Sequence, residues 1–169
     1  VYLFDLGNSG IPIWDETFWD RTEVWENIWR PISDELKTCD GFVLICPEYG
    51  GMASPGLKNI FLLCNKQEFS HKPGLIVTVS SSRGGAYPVA ELRMSSYKNT
   101  QICYIPEHII IRDVTKMLNP LSGEQPSEAD QYIRDRIQYA LQILLAYSEG
   151  LAIVRDKNIF NYTKYPFGM

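Results

Sequence analysis

Two stretches hold the residues best suited to chemistry: CPEYGGMASPGLKN, Cys46 to Asn59, and SSSRGGAYP, Ser80 to Pro88. Each leaves an apolar run, turns through paired glycines and enters a segment of helical character. Paired glycines permit positive φ and let the backbone approach a flat ligand with no Cβ in the way. Serine hydroxyls and free amides can then donate to carbonyl or ring-nitrogen acceptors. Ser54 followed by Pro55 reads as an N-cap and first helical residue, which turns the positive end of a helix dipole toward the same cleft. Taken singly, Gly-Gly after a strand is by default only a turn. Two such loops on successive strands, at the sheet edge where open α/β sheets bind ligands, favour a shared ligand. Glu48 lies in the first loop as a turn carboxylate, better suited to capping amides or pairing with an arginine than to acting as a general base.

The elements that position these loops follow from the pattern around them. Four apolar runs, Val1 to Leu6, Gly41 to Cys46, Gly74 to Val79 and Glu107 to Val114, alternate with longer helical segments. That is the signature of an α/β fold with a parallel sheet and crossover helices. The middle two runs are continuously apolar, which predicts strands covered on both faces. Val24, Ile28, Ile32 and Leu36 predict the inner stripe of a first helix, kinked or restarted at Pro31. Leu57, Phe61 and Cys64 predict the inner face of a second helix, and Val89, Leu92, Met94 and Ser96 that of a third. Ser127 is the expected N-cap of a last helix whose buried face carries Ile133, Ile137, Leu141, Leu144 and Leu145. The four tryptophans, Trp14, Trp19, Trp25 and Trp29, are expected in core or dimer packing, with a wall of a ligand pocket as the alternative. From about residue 155 the aromatic tail lacks periodicity and reads as an irregular arm over the core or a neighbouring subunit. An open sheet of so few strands is small for these helices, so a preceding strand, loop and helix are expected outside this numbering.

A chain of 169 residues, 45% hydrophobic and 21% charged, fits a single domain over residues 1–169. A net charge of -4 speaks against a general nucleic-acid or anionic-membrane surface, so any anionic ligand must be held locally. The apolar stretch near the C-terminus is interrupted by Ser148, Glu149 and Gly150, and no membrane span is expected. Cys39, Cys46, Cys64 and Cys103 are widely spaced, with only His71 and His108 as imidazole partners. No metal site and no disulfide framework is expected, and a reducing, cytoplasmic compartment is.

The run CPEYGGMASPGLKN, followed at the proper interval by VSSSRGGAYPVAELR, resembles the NADPH-dependent FMN reductase family of flavodoxin-like proteins. Pro47, Glu48, Tyr49, Gly51, Leu57, Lys58 and Asn59 match in register, with Gly50 where the family usually has Asn. DLGNSGIPIWDE, Asp5 to Glu16, is similar to the segment after the family's second strand. The resemblance implies a flavodoxin-like three-layer sandwich whose first strand and Gly-Ser-x-Arg-x-x-Ser phosphate loop lie outside this numbering. It further implies FMN as cofactor, NADPH or NADH as co-substrate, and a homodimer or homotetramer that reduces flavins, quinones or azo compounds. An electron carrier without nicotinamide turnover is the alternative. The implied cofactor-binding residues are Pro47, Glu48, Tyr49, Gly50 and Gly51 on one loop and Ser81, Ser82, Arg83, Gly84 and Gly85 on the other. Arg83 is placed either on the cofactor's phosphate or an acceptor, or in solvent as an ordinary surface cation. No side chain is implied as an acid or base, since hydride transfer belongs to the cofactor. Valine at Gly51 or Gly84 is expected to weaken FMN binding far more than stability.

Overall fold

The computed structural model describes residues 1–65, 67–120 and 125–169. Its helices are α1 (Glu23–Thr38), α2 (Pro55–Leu63), α3 (Ala86–Ser95), α4 (Tyr97–Thr100) and α5 (Glu128–Arg155). Its strands are β1 (Phe42–Tyr49), β2 (Met52–Ala53), β3 (Pro73–Val79) and β4 (Cys103–Ile111), in the sheet order β2-β1-β3-β4. β1, β3 and β4 are parallel, with Cys46 opposite Thr78 and Thr78 opposite Ile110. The two-residue β2 turns back antiparallel on the end of β1.

Helices cover both sheet faces. On one face Trp25, Trp29 and Leu36 of α1 join Leu57, Ile60 and Phe61 of α2 and Val89 and Leu92 of α3 over Phe42, Leu44, Cys46 and Ile76. On the other, Ala140 and Leu144 of α5 pack on Leu75, Val77, Ile105, Ile109 and Ile111. β3 is therefore buried on both sides, as its continuous apolar run predicts. β1 departs from that expectation. Phe42, Leu44 and Cys46 are buried while Val43 and Ile45 are exposed, because α5 lies over β3 and β4 and stops short of β1.

Three other expectations are corrected. Val1–Leu6 forms no strand: Phe4 and Leu6 pack on the first core cluster, but no described strand offers the segment a ladder. Its end is turned by Asp5, whose carboxylate accepts from the Gly7 amide at 2.9 Å and from Asn8 Nδ2 at 2.6 Å. The inner stripe of α1 is Trp25, Trp29, Ser33 and Leu36, with Val24 exposed. Both stripes have helical period, and the one with two indoles removes more apolar surface from water. α1 also continues through Pro31 rather than restarting there, since packing on either side, including a 2.6 Å hydrogen bond from Ser33 Oγ to buried Glu68, outweighs one lost amide.

α5 begins at Ser127, whose hydroxyl accepts from the Asp130 amide at 3.2 Å as the cap pattern predicts. Its buried face is narrower than expected, however, and Leu141 and Leu145 stay exposed. By length and composition α5 could cross a membrane. It is nevertheless fixed along the sheet by Ala140 and Leu144, by Arg136 on Glu107 at 2.7 Å and by Arg155 on Asp40 at 2.7 Å. All four cysteines are free, with Cys46 and Cys64 buried. Residues 156–169 form an irregular arm, and Phe160 stacks on His71 with ring centroids 3.9 Å apart.

Asn59 ties the N-terminal segment to α2. Its Oδ1 accepts from the Trp14 amide at 2.8 Å and its Nδ2 donates to the Pro12 carbonyl at 2.9 Å. Asn59→Ala is expected to cost about 1–3 kcal/mol in urea denaturation and to loosen residues 5–16 to proteolysis. Unchanged stability would show that the segment is held by its apolar contacts alone.

Candidate functional site

The ends of β1 and β3 lie side by side because Pro47 is the register partner of Val79. The first lip continues β1 through Tyr49 and folds back at Gly50 and Gly51, with φ of +59° and +77°. Two successive positive φ values between paired strands make a primed hairpin turn, which glycine accommodates without strain. Space around the turn is open: a Cβ at Gly51 would meet no atom within 4 Å. Tyr49 and Met52 flank the turn and are exposed.

The second lip runs from Ser80 to Gly85, which precedes α3 with φ of +101°. Thr78 Oγ1 donates to the Gly85 carbonyl at 2.7 Å, and the Gly85 amide donates to Glu48 Oε2 at 2.5 Å. A Cβ at Gly84 would collide with Glu48 Oε1, and one at Gly85 with the Ile110 side chain. Glu48 thus clasps the two lips together, as an amide-capping carboxylate should. These glycines are required by protein packing before any ligand is considered.

Arg112, at the end of β4, supports the second lip from behind. Its Nε donates to the carbonyls of Arg83 at 2.9 Å and Gly84 at 3.0 Å. The amides of Asp113 and Val114 bond the carbonyls of Ser82 at 2.9 Å and Ser80 at 3.2 Å. The loop's carbonyls are in this way turned toward the protein. Among the described residues no acceptor engages the amides of Ser81, Arg83 and Gly84, so they are the donors left for a ligand. Ser81, Ser82 and Arg83 are exposed, and Gly84 is half-buried.

Glu91 of α3 holds the base of the first lip. It accepts from the Ala53 amide at 2.7 Å and from Lys58 Nζ at 2.7 Å. The Ala53 amide first, and then Lys58, hold its carboxyl below the ordinary 4.5. A depressed folded pKa contributes stability that is present above 4.5 and lost as pH falls through the folded value. Acidification below 4.5 is therefore expected to loosen β2 from α3, a step that Glu91→Gln should remove from the pH titration of stability. A titration unchanged by the substitution would rule this contact out as its source. Ser54 occupies the N-cap position of α2 with Pro55 following, but its hydroxyl makes no cap bond; its amide instead donates to Cys46 Sγ at 3.3 Å.

Sequence reading thus found both lips and missed Glu91, Arg112 and Thr78. Thr78 alone carried a signal, as the one polar residue within GLIVTV. Arg112 and Glu91 reach the lips only through strand pairing and helix packing.

Adjacent parallel strands flanked by helices on both faces, ending in two joined loops, define an α/β protein of flavodoxin-like fold. The chain belongs to the NADPH-dependent FMN reductase family, whose model matches residues 1–115. It is 25% identical over 149 residues to an NADPH azoreductase of Bacillus sp. (strain OY1-2), covering 87% of this chain and 79% of that protein. Among solved structures, it is similar to FerB, a flavoenzyme NAD(P)H:(acceptor) oxidoreductase from Paracoccus denitrificans, with a TM-score of 0.61 and 17% identity over 89% of this chain and 79% of that one. An oxidoreductase from Corynebacterium diphtheriae gives a TM-score of 0.57 and 14% identity over 76% of this chain, which spans 64% of that one, just under two thirds. The family implies FMN and NAD(P)H, and the donor set of the lips fits the acceptor-rich edge of a flat flavin ring.

Proposed function

We propose that this protein is an FMN-dependent oxidoreductase that takes hydride from NADPH or NADH and reduces small acceptors such as quinones, azo compounds or free flavins. The observation that carries the reading is the Glu48 clasp between two lips at adjacent strand ends, within the stretch matched by the family. Bound FMN would supply the hydride chemistry. The chain's part is placement and charge. The free amides of Ser81, Arg83 and Gly84 are preorganised by Arg112 and residues 113–114, and they would steady negative charge on a ring lying against them. Tyr49 and Met52 give the first lip an exposed apolar flank suited to a flat acceptor. The open space around Gly51 lets a ring and its reaction partner come close to the backbone.

Mixing FMN-loaded protein with NADPH in the absence of oxygen tests the reading. Bleaching of the flavin within seconds, followed by recolouring with a quinone or an azo dye, is the expected result. Flavin that stays oxidised would overturn it in favour of a carrier, and protein that binds no FMN would overturn both. A homo-oligomeric state and a cytoplasmic location are further proposals, supported by the family resemblance and by four free cysteines. Light scattering on the purified protein checks the first.

A further inference from the structure

The second lip carries a charge that its fastening does not require. Arg112, the residue after β4, donates from its Nε to two successive carbonyls, those of Arg83 at 2.9 Å and Gly84 at 3.0 Å. It is exposed, and among the described residues no carboxylate pairs with it. A neutral donor could fasten the same carbonyls, as the amides of Asp113 and Val114 fasten those of Ser82 and Ser80. A guanidinium does so with a full positive charge.

Peptide geometry carries that charge across the loop. The peptide bonds are trans, so each carbonyl points away from the N–H that shares its peptide unit. The Gly84 carbonyl points back to Arg112, and the Gly85 amide of the same unit points forward to Glu48 Oε2 at 2.5 Å. That unit joins a cation behind the lip to an anion in front of it. The neighbouring unit has the same cation behind it: the Arg83 carbonyl accepts from Arg112, and the Gly84 amide faces forward with no acceptor among the described residues. Hydrogen bonds in series polarise one another, and an N–H whose own carbonyl is bound to a cation is a stronger donor. Of two parallel relays from one guanidinium, one therefore ends on a carboxylate and the other ends open. The open end suits a group of the same kind, an atom that is or becomes anionic.

Uptake of a hydride adds one negative charge to a flavin, shared over the N1 and O2 edge of its ring. We propose that Arg112 is a positioning residue that acts by charge: through the peptide unit of Arg83 and Gly84 it makes the second lip hold reduced FMN more tightly than oxidised FMN, and so raises the potential of the bound flavin. The inference rests on the FMN reading above and extends it, because any donor at residue 112 would place the amides, whereas only a cation would favour one redox state through them. Water screens the exposed guanidinium and Glu48 offsets part of its field, which limits the effect to about 10-fold.

Equilibrium reduction of the FMN-loaded full chain by dithionite against a reference dye, with no nicotinamide present, tests the proposal. Arg112→Gln keeps an N–H donor and removes the charge. It is expected to lower the preference for reduced over oxidised FMN by about 10-fold, a fall of ~30 mV in the midpoint potential of a two-electron couple. Arg112→Lys keeps the charge and loses the planar fork, and should stay within about 3-fold of the parent. Salt gives a readout that needs no variant: the parent's potential should fall toward that of Arg112→Gln as ionic strength rises. Equal potentials in the parent and Arg112→Gln would overturn the proposal, as would a parent potential that ignores salt. Equal shifts in the Lys and Gln variants would also overturn it, leaving Arg112 a purely structural part. The nicotinamide-dependent reading fails on a different result, since a carrier that never bleaches with NADPH would still show the shift with dithionite.

Discussion

Glu48→Ala is expected to part the two lips at the ends of β1 and β3. The Gly85 amide, which donates to Glu48 Oε2 at 2.5 Å, belongs to a buried residue and would lose its acceptor. An unsatisfied buried amide costs about 1–3 kcal/mol, and the same energy ceases to hold the second lip in place. FMN affinity should fall by about 10- to 100-fold, at roughly 1.4 kcal/mol per decade, with a matching loss of stability in urea. Glu48→Gln keeps an oxygen that can accept from the same amide, so it should recover most of both. A Glu48→Ala protein that binds FMN as tightly as the parent would show that the lips are placed by Arg112 and the β4 end alone. Loss of NADPH turnover with undiminished FMN affinity would instead give Glu48 a role in the reaction itself.

Gly85→Val should be the most damaging single change at the site. Gly85 has φ of +101°, and a Cβ there would collide with the Ile110 side chain of β4. Left-handed backbone costs a branched residue about 1–2 kcal/mol or more, and forcing extra carbon into a packed contact typically adds 1–3. A loss of about 3–5 kcal/mol is therefore expected, with little folded protein left to bind flavin. Gly84→Val should lower stability and FMN binding together, because its Cβ displaces Glu48. That revises the expectation of a selective loss at Gly84. Gly51 keeps it: a Cβ there meets open space, so Gly51→Ala should cost about 1 kcal/mol of turn strain while narrowing the approach to the backbone. Comparing thermal melting with FMN titration across the three variants checks the ranking. Equal stability losses at all three would remove the structural distinction between the lips and the hairpin turn.

Much of the fold was legible because its signals are local. Continuous apolar runs mark strands, Ser127 with acidic residues behind it marks a helix start, and paired glycines after strands mark turns. What misled was equally local. Val1–Leu6 has strand composition, yet a strand exists only beside an edge that accepts its hydrogen bonds. Val24 and Ile28 have helical spacing, yet the stripe beginning at Trp25 buries more surface. Pro31 breaks helices in isolation, but here the packing of its neighbours exceeds the cost of one missing donor.

The candidate site divides along the same line. Glycine at residues 50, 51, 84 and 85, serine at 80–82 and a carboxylate at 48 are properties of the chain, and they sufficed to mark two loops that the structure sets side by side. Only the tertiary structure decided that Glu48 spans from one lip to the other, that Arg112 turns the carbonyls of the second lip inward, and that Glu91 anchors the first. The reason is physical. Turn chemistry depends on residues within a few positions of each other, whereas a clasp across 37 residues exists only once parallel pairing has set β1 beside β3.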